Sequence, residues 1–192
     1  MTENKMSDFF DKLAPTWDQN ELHSKYEIES FLNVLPIKKD DKILDVGCGT
    51  GLITPILYKK SEGIVKGIDI SKEMIKIALN KKIKNVSFIC EDFNNFKETD
   101  YDFIVIFNAY PHFLDLEKFK KSLVRTLKEN GKFAIIHNFS RQELIDMHQG
   151  SSLPLTRDLK PAKEEAAFYK DKFNILETKE TTHSFYILCQ KK

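Results

Sequence analysis

The chain has 192 residues, of which 41% are hydrophobic, and its 30 basic and 29 acidic side chains leave a formal net charge of +1. This length favours a single domain with a sizeable core, and the near-neutral charge offers no basic field that would attract nucleic acid. No apolar stretch approaches the length of a membrane span, and residues 1–12 carry no secretory signal. Because the three cysteines have neither metal nor disulfide spacing, we expect a cytoplasmic protein, and a homodimer is left open.

The single domain is expected to have three parts: an N-terminal helical cap (1–36), a ligand-binding core (37–138), and a substrate-side segment with a terminal hairpin (139–192). In the cap, apolar residues recur at i, i+3, i+4 and i+7 from Ile28 to Leu35, and the pattern stops at Pro36. This spacing predicts an amphipathic helix. We expect that helix, together with residues 7–13, to cover the mouth of the ligand site.

The core opens with the most informative pattern in the chain. The aliphatic segment 43–46 is followed by glycines at every second position, Gly47, Gly49 and Gly51, and then by apolar residues at helical spacing. That order predicts a strand, a tight loop and a helix. Glycines allow the backbone to approach a ligand closely, so the loop is expected to hold a small molecule against its main chain.

The spacing of the glycines limits the class of ligand that the loop can bind. Dinucleotide folds use G-x-G-x-x-G and nucleotide triphosphate sites use a glycine loop ending in Lys and Ser/Thr, whereas this loop is G-x-G-x-G. Asp45 precedes it by two positions. An acid there disfavours a diphosphate and favours a cation, so the pattern indicates a positively charged nucleoside.

Two further strands end in acids. Residues 63–70 predict a second buried strand that ends at Asp69, where a carboxylate can accept hydrogen bonds from both hydroxyls of a ribose. A third strand, 86–90, is followed by Glu91, Asp92 and Phe93. There an acid could accept from an adenine amino group while the aromatic ring stacks on the base.

The remaining elements alternate between helices and strands, which predicts a parallel sheet covered on both faces. Ser71 and Asp115 are predicted to cap helices, the second closing at Asn130-Gly131, and the apolar run 103–107 predicts a central strand. A strand at 133–137 follows, then a capping box at 140–143 that opens a short helix through His148. A loop over 150–161, a helix around 162–172 and two strands, 175–181 and 184–189, complete the prediction.

These motifs resemble the class I, Rossmann-like S-adenosylmethionine-dependent methyltransferases, of the small-molecule (ubiquinone/menaquinone methyltransferase-like) type. The matching segments are LDVGCGTG (44–51), GIDIS (67–71) with Met74 behind it, EDF (91–93) and the strand 103–107. Residues 9–18 also look like the family's N-terminal F-D-x-x-A-x-x-Y-D signature, with Trp17 where Tyr is usual. The resemblance covers 7–138 well and the last third only in layout. It implies a three-layer α/β sandwich with strand order 3-2-1-4-5-7-6 and an antiparallel last strand.

The resemblance also implies a set of S-adenosylmethionine-binding residues. Asp45, Gly47 and Gly49 would hold the methionine portion, with Cys48 contributing its backbone, and Asp69 would hold the ribose. Asp92 and Phe93 would hold the adenine. The full expected cofactor set is Trp17, Asp45, Gly47, Cys48, Gly49, Asp69, Ile70, Met74, Asp92, Phe93 and Asn108.

The acceptor side is expected at the carboxyl ends of the fourth and fifth strands. Methyl transfer mainly requires correct positioning, and a general base is needed only where the acceptor must lose a proton. His112 and His137 are the candidate bases, and the expected substrate-side set is Tyr110, His112, His137, Arg141 and His148. A metal or metalloid site formed by His112, His137 and His148 is a weaker hypothesis, since their spacing is not that of metal ligands.

The sequence therefore predicts a methyltransferase acting on a small molecule, without an expected metal. The segment Asn108-Ala109-Tyr110-Pro111 departs at two of four positions from the N-P-P-Y signature of amino-group methylation on nucleic acid. Three alternatives remain open: a non-catalytic binder of S-adenosylmethionine or its demethylated product, a metal- or metalloid-linked methyltransferase, and a nicotinamide oxidoreductase, which the glycine spacing disfavours.

Overall fold

The computed structural model describes residues 3–20, 24–147 and 155–192. Seven strands form one mixed sheet in the order β3-β2-β1-β4-β5-β7-β6, which confirms the predicted fold class. The strands are β1 (Ile43–Val46), β2 (Val65–Asp69), β3 (Val86–Cys90), β4 (Tyr101–Phe107), β5 (Leu127–His137), β6 (Phe173–Thr181) and β7 (Ser184–Lys191). The α-helices are α1 (Glu3–Leu13), α2 (Lys25–Asn33), α3 (Thr54–Ser61), α4 (Lys72–Asn80), α5 (Leu116–Thr126), α6 (Arg141–Met147) and α7 (Ala162–Ala167), and 3-10 helices span Ala14–Asn20 and Tyr110–His112.

The chain divides into two compact units, Met1–Phe96 and Lys97–Lys192. The first contains α1 to α4 and β1 to β3, whose strands pair in parallel. Every residue of β1 is buried, as expected of a strand covered on both faces. Ser24 caps α2 in a reciprocal capping box with Glu27, and Ser71 caps α4 through Met74 N, as predicted for that helix.

The second unit contains β4 to β7 and α5 to α7. Strands β4 and β5 are parallel, whereas β7 is antiparallel to both β5 and β6, which confirms the antiparallel last strand. The central strand β4 is buried over most of its length. Asp115 caps α5, and Ser140 and Glu143 form the predicted capping box before α6. The predicted continuation of this helix to His148, and the first part of the loop predicted over 150–161, lie outside the described residues.

Two predicted helix ends are wrong. The helix predicted around 162–172 ends at Ala167, because tighter turn hydrogen bonds such as Tyr169 N to Ala166 O replace the helical ones before β6 begins. The sequence predicts that α5 closes at Asn130-Gly131, but the helix ends at Thr126 and Leu127 already begins β5. The pairing of β4 with β5 shifts register between Tyr101 and Phe103, so residues 128–131 bulge from the ladder. Asn130 takes the left-handed conformation (φ 61°) there. Asn130-Gly131 does change the direction of the backbone, but it does so at a bulge within a strand and not at the end of a helix.

Within the described ranges, the helices are all too short or too polar to cross a bilayer.

Candidate functional site

The glycine loop after β1 has the backbone that its sequence requires. Gly47, Gly49 and Gly51 all take positive φ (72°, 52° and 78°), a region that side chains disfavour. The loop is closed by a hydrogen bond from Gly51 N to Cys48 O (2.9 Å), and Gly47 N donates to Ile68 O of β2 (2.9 Å). The turn is therefore tight and joined to the neighbouring strand.

Gly51 has a second, steric reason to be glycine. A Cβ at this position would lie 2.7 Å from Cζ of Phe88, and a Cβ at Gly67 would lie equally close to Cδ1 of the same ring. The Phe88 side chain thus fills the space that both glycines leave. By contrast, a Cβ at Gly49 would meet only Nε1 of Trp17, at 3.6 Å.

Asp45, at the end of β1, is a buried acid with one unsatisfied oxygen. Its side chain is 1% exposed, and Oδ2 accepts a hydrogen bond from Oγ1 of Thr54 (2.7 Å). Its Oδ1 is buried and has no hydrogen-bond partner within the described part of the chain. Burial, opposed by the Thr54 hydrogen bond and aided by the Asp69 charge, raises the pKa of Asp45 to about 7. A buried, unpartnered carboxylate oxygen is costly unless a ligand donates to it.

Asp69, at the end of β2, is held by two backbone donors. Its Oδ2 accepts from Gly49 N (2.8 Å) and its Oδ1 from Ser71 N (2.8 Å). Burial raises the pKa of this carboxyl, while these hydrogen bonds oppose that shift. Because each carboxylate oxygen can accept two hydrogen bonds, Asp69 retains acceptor capacity for a ligand.

The first 3-10 helix contacts the glycine loop through residues that the sequence analysis did not single out. Oγ1 of Thr50 donates to Oδ1 of Asp18 (2.5 Å), and Nζ of Lys81 pairs with Oδ2 of Asp18 (2.6 Å) and donates to Oγ1 of Thr50 (3.1 Å). The Trp17 indole lies beside Gly49 and packs edge-on against Phe10, with ring centroids 5.9 Å apart.

Helix α1 contacts the residues that follow β2. Oγ of Ser7 donates to Ile70 O (3.1 Å), and Oδ1 of Asp11 accepts from Oγ of Ser71 (2.5 Å) and from Glu73 N (3.1 Å). These contacts bring the N-terminal segment onto the end of β2, where the predicted cofactor residues lie. The family signature at 9–18 was the only available signal for them. Helix α2 is linked instead to α3, through Nζ of Lys60 and Oδ1 of Asn33 (3.4 Å).

The other predicted cofactor residues of this unit differ in exposure. Asp92 is half-buried and caps a turn through Asn94 N (2.9 Å), whereas Phe93 is 3% exposed. Met74 is 1% exposed and belongs to the buried face of α4. Cys48 is buried, and burial raises the pKa of its thiol, which keeps it unreactive.

In the second unit, an amide pair joins the ends of β4 and β5. Nδ2 of Asn108 donates to Oδ1 of Asn138 (2.6 Å), and Asn138 N donates to Oδ1 of Asn108 (3.2 Å). Asn108 takes the left-handed conformation (φ 53°) that places its side chain in this pair. The neighbouring His137 is fully buried, with its ring edge-on to Phe185 at 5.8 Å.

His112 is half-buried on the 3-10 helix after β4, and its Nδ1 lies 3.1 Å from Leu155 O. Tyr110, in the same turn, is fully buried and donates to Oε2 of Glu165 (2.9 Å). Burial raises the pKa of Tyr110, which keeps its hydroxyl protonated. Of the two candidate bases, His112 is therefore the more accessible.

The remaining predicted residues have separate environments. Nε of Arg141 donates to Oε1 of Glu180 (3.0 Å), an ion pair that ties the start of α6 to β6. His148 lies outside the described residues. Within the described ranges, no three His, Cys, Asp or Glu side chains converge in a way that could hold a metal ion.

A seven-stranded sheet of this order, with a glycine loop and acids at the ends of its first strands, defines the class I S-adenosylmethionine-dependent methyltransferases. A sequence model of the family described as "Methyltransferase domain" matches residues 37–188, so the chain belongs to that family. The predicted family is confirmed at this level.

Similar proteins include enzymes with different acceptors. The chain is 32% identical over 143 residues to a malonyl-[acyl-carrier protein] O-methyltransferase of Priestia megaterium, covering 70% of this chain and 52% of that protein. It is 30% identical over 139 residues to a demethylmenaquinone methyltransferase of Thermotoga maritima, covering 66% and 58%. The chain thus spans little more than half the length of these relatives.

A solved Haloferax volcanii chain, in complex with the Trm112 methyltransferase activator, matches with a TM-score of 0.78 at 19% identity, covering 97% of both chains. At this level of sequence identity, the similarity shows that the two chains share a fold.

Proposed function

We propose that this chain transfers the methyl group of S-adenosylmethionine to a small-molecule acceptor. The observation that carries the proposal is the buried Oδ1 of Asp45, which has no partner within the described residues and lies beside a glycine loop. A cationic ligand that donates hydrogen bonds would satisfy this oxygen. The residues present therefore fit the cofactor that the family uses.

Each cofactor-binding role belongs to a residue whose setting suits it. Asp45 and the backbone of Gly47 to Gly49 would hold the methionine portion, because the loop is open to close approach on its glycine side. Asp69 would accept from the ribose hydroxyls with its remaining lone pairs. Asp92 and Phe93 would hold the adenine, and Trp17 would cover the glycine loop.

When bound, S-adenosylmethionine supplies an electrophilic methyl group on a sulfonium centre. The protein's part is to orient the acceptor and, where that acceptor must lose a proton, to take it up on His112. We assign His112 this role ahead of His137 because His112 is half-buried whereas His137 is enclosed. Asn108, Tyr110 and Arg141 are proposed to help shape the acceptor side.

A small acceptor is favoured by the near-neutral charge of the chain, since nucleic-acid substrates are held by basic surfaces. One similar enzyme is named for a quinone and another for a carrier-bound malonyl group. We infer that acceptors of these two kinds are the first to test, and that a general base is needed only where the accepting atom carries a proton.

Two measurements test the proposal in sequence. Calorimetry should show binding of S-adenosylmethionine and S-adenosylhomocysteine, with no comparable binding of NAD. Incubation with methyl-labelled S-adenosylmethionine and a metabolite extract should then label a low-molecular-weight product. Cofactor binding without labelling of any fraction, including protein and RNA, would indicate a non-catalytic binder; preference for NAD would overturn the cofactor assignment.

A further inference from the structure

The segment 155–161 has no strand or α-helix, yet several contacts attach it to its surroundings. Leu155 and Leu159 are only 6% and 4% exposed. Loops of this kind are usually mobile unless polar contacts hold them. What holds this one is a buried polar cluster formed by Tyr110, Arg157, Glu165 and Tyr169.

Arg157 makes the contacts that attach the segment to its surroundings. Its Nη1 and Nη2 donate to the two oxygens of Glu165 (2.8 and 3.1 Å), and its guanidinium lies 4.4 Å from the ring centroid of Tyr110. Its backbone N–H donates to Pro111 O (3.0 Å). One residue therefore ties the segment both to α7 and to the turn that carries His112. A bidentate pair combined with ring stacking is a geometry that lysine cannot reproduce.

Glu165 is the centre of this cluster. Besides Arg157, its carboxylate accepts from the Tyr110 hydroxyl (2.9 Å) and from Lys160 N (2.8 Å), and it is 3% exposed. The Tyr110 hydroxyl also lies 2.8 Å from that of Tyr169. A buried and well-connected network of this kind specifies one arrangement of the groups around it. Removing the charge of only one of Arg157 and Glu165 leaves the other charge buried without its partner.

The arrangement has a chemical consequence at His112. Its Nδ1 lies 3.1 Å from Leu155 O, and a carbonyl oxygen can only accept a hydrogen bond. Nδ1 therefore carries the proton in the neutral ring, and the lone pair that could accept a proton is on Nε2. A backbone carbonyl that fixes a histidine tautomer in this way also fixes the orientation of the ring.

We propose that Arg157 is a positioning residue: by anchoring the segment 155–161 it holds the Leu155 carbonyl that keeps His112 in its Nδ1-protonated form. The inference rests on the proposed function in that it assigns this tautomer to the base of methyl transfer. The tautomer itself is a property of the free protein, and it can be measured whether or not an acceptor is known.

The experiment measures the tautomer of His112 by nitrogen-15 NMR of the imidazole rings in the free protein, with H112Q to assign the signals. R157M removes the side-chain contacts to Glu165 and Tyr110, keeps the backbone hydrogen bond to Pro111 O, and leaves the Glu165 charge buried. R157M/E165Q removes both charges, so it tests the same anchor without an uncompensated carboxylate. K191M is the matched control, because Lys191 is also a mostly buried cation in this unit and pairs with the exposed Glu129, but it belongs to β7.

We expect His112 to be Nδ1-protonated in the wild-type protein and in K191M. In R157M/E165Q, and in R157M if it folds, that population should fall by at least about twofold in favour of the Nε2-protonated form. A wild-type ring protonated on Nε2, or an unchanged tautomer in the folded double variant, would overturn the inference.

Calorimetry with S-adenosylmethionine on the same samples separates the two proposals. The cofactor residues assigned here lie mainly in the first unit, so the variants should bind it as the wild-type protein does. If the His112 tautomer changes as expected but the protein does not bind S-adenosylmethionine, the proposed function is contradicted and the proposed role of Arg157 still stands. If the variants bind S-adenosylmethionine but the His112 tautomer does not change, only the proposed role of Arg157 is contradicted.

Discussion

Asp69 accepts a hydrogen bond from the backbone N–H of Gly49 at 2.8 Å, so the acid that ends β2 holds the loop that follows β1. The contact joins two motifs separated by 20 residues into one structure. The backbone N–H groups of Gly47, Gly49 and Gly51 all donate within the protein, so this contact leaves the remaining acceptor capacity of Asp69 for a ligand.

Removing this acid should weaken cofactor binding. D69A loses both the proposed ribose acceptor and the tie to Gly49, so we expect S-adenosylmethionine binding to weaken by ~1–3 kcal/mol, the scale of a lost charge-assisted hydrogen bond. D69N keeps one acceptor oxygen and should lose less. Calorimetry measures both, and E62Q, a change at a mostly exposed carboxylate in the same unit, is the control. An affinity equal to wild type in D69A would place the ribose contact elsewhere.

Asp45 should make the stability of the free protein depend on pH. Its pKa of about 7 in the folded chain exceeds its ordinary value of 3.8, so the folded state keeps a proton that the unfolded chain releases. The contribution of Asp45 to the free energy of unfolding is greatest below pH ~4, falls as the pH rises to ~7, and is constant above that. The total change is on the order of 2–4 kcal/mol.

D45N removes this titration, so its unfolding free energy, measured by urea denaturation, should fall less than that of the wild type between pH 4 and pH 8. Groups that do not interact with Asp45 contribute equally to both proteins, so the difference reports the titration of Asp45 together with its coupling to Asp69. Parallel pH profiles for the two proteins would show that Asp45 ionises normally.

Gly49 and Gly51 form a matched pair of substitutions. Both have positive φ, but only at Gly51 would a Cβ overlap Phe88, at 2.7 Å. We expect G51A to lose roughly 1–3 kcal/mol more stability than G49A, because overpacking is added to the same backbone strain. Thermal unfolding of the two variants measures this difference, and equal losses would mean that Phe88 moves aside without cost.

The contact of Asp18 with Thr50 and Lys81 should hold Trp17 near the glycine loop. Trp17 is the one tryptophan of the chain, so its fluorescence reports on this segment alone. K81M breaks the ion pair and should increase quenching of Trp17 by acrylamide, while K76M, which breaks an exposed pair on α4, should not. The effect should also shrink at high salt, since the pair is partly exposed. Equal quenching in both variants would show that the ion pair of Lys81 with Asp18 does not hold Trp17 in place.

Local patterns predicted most of the fold. The apolar runs, glycine spacing and capping residues gave the elements, and the alternation of helices with strands gave a parallel sheet whose order the family resemblance completed. Asp45 and Asp69 could be singled out because an acid at the end of a buried strand is unusual.

Contacts between distant residues of common types could not be predicted. Asp18 and Thr50 lie in two of the family motifs, but no pattern shows that the fold brings them together with Lys81 across more than 30 positions. The same holds for Arg157, whose partners Pro111 and Tyr110 precede it by more than 40 positions. The end of α5 was misplaced because Asn-Gly serves helix ends and strand bulges equally well.

The most direct measurement is a crystal structure with S-adenosylhomocysteine bound. The account predicts the α-ammonium group within hydrogen-bond distance of Oδ1 of Asp45, both ribose hydroxyls on Asp69, and the base beside Asp92 and Phe93. A ligand that leaves Oδ1 of Asp45 unpartnered, or that binds away from the glycine loop, would contradict it.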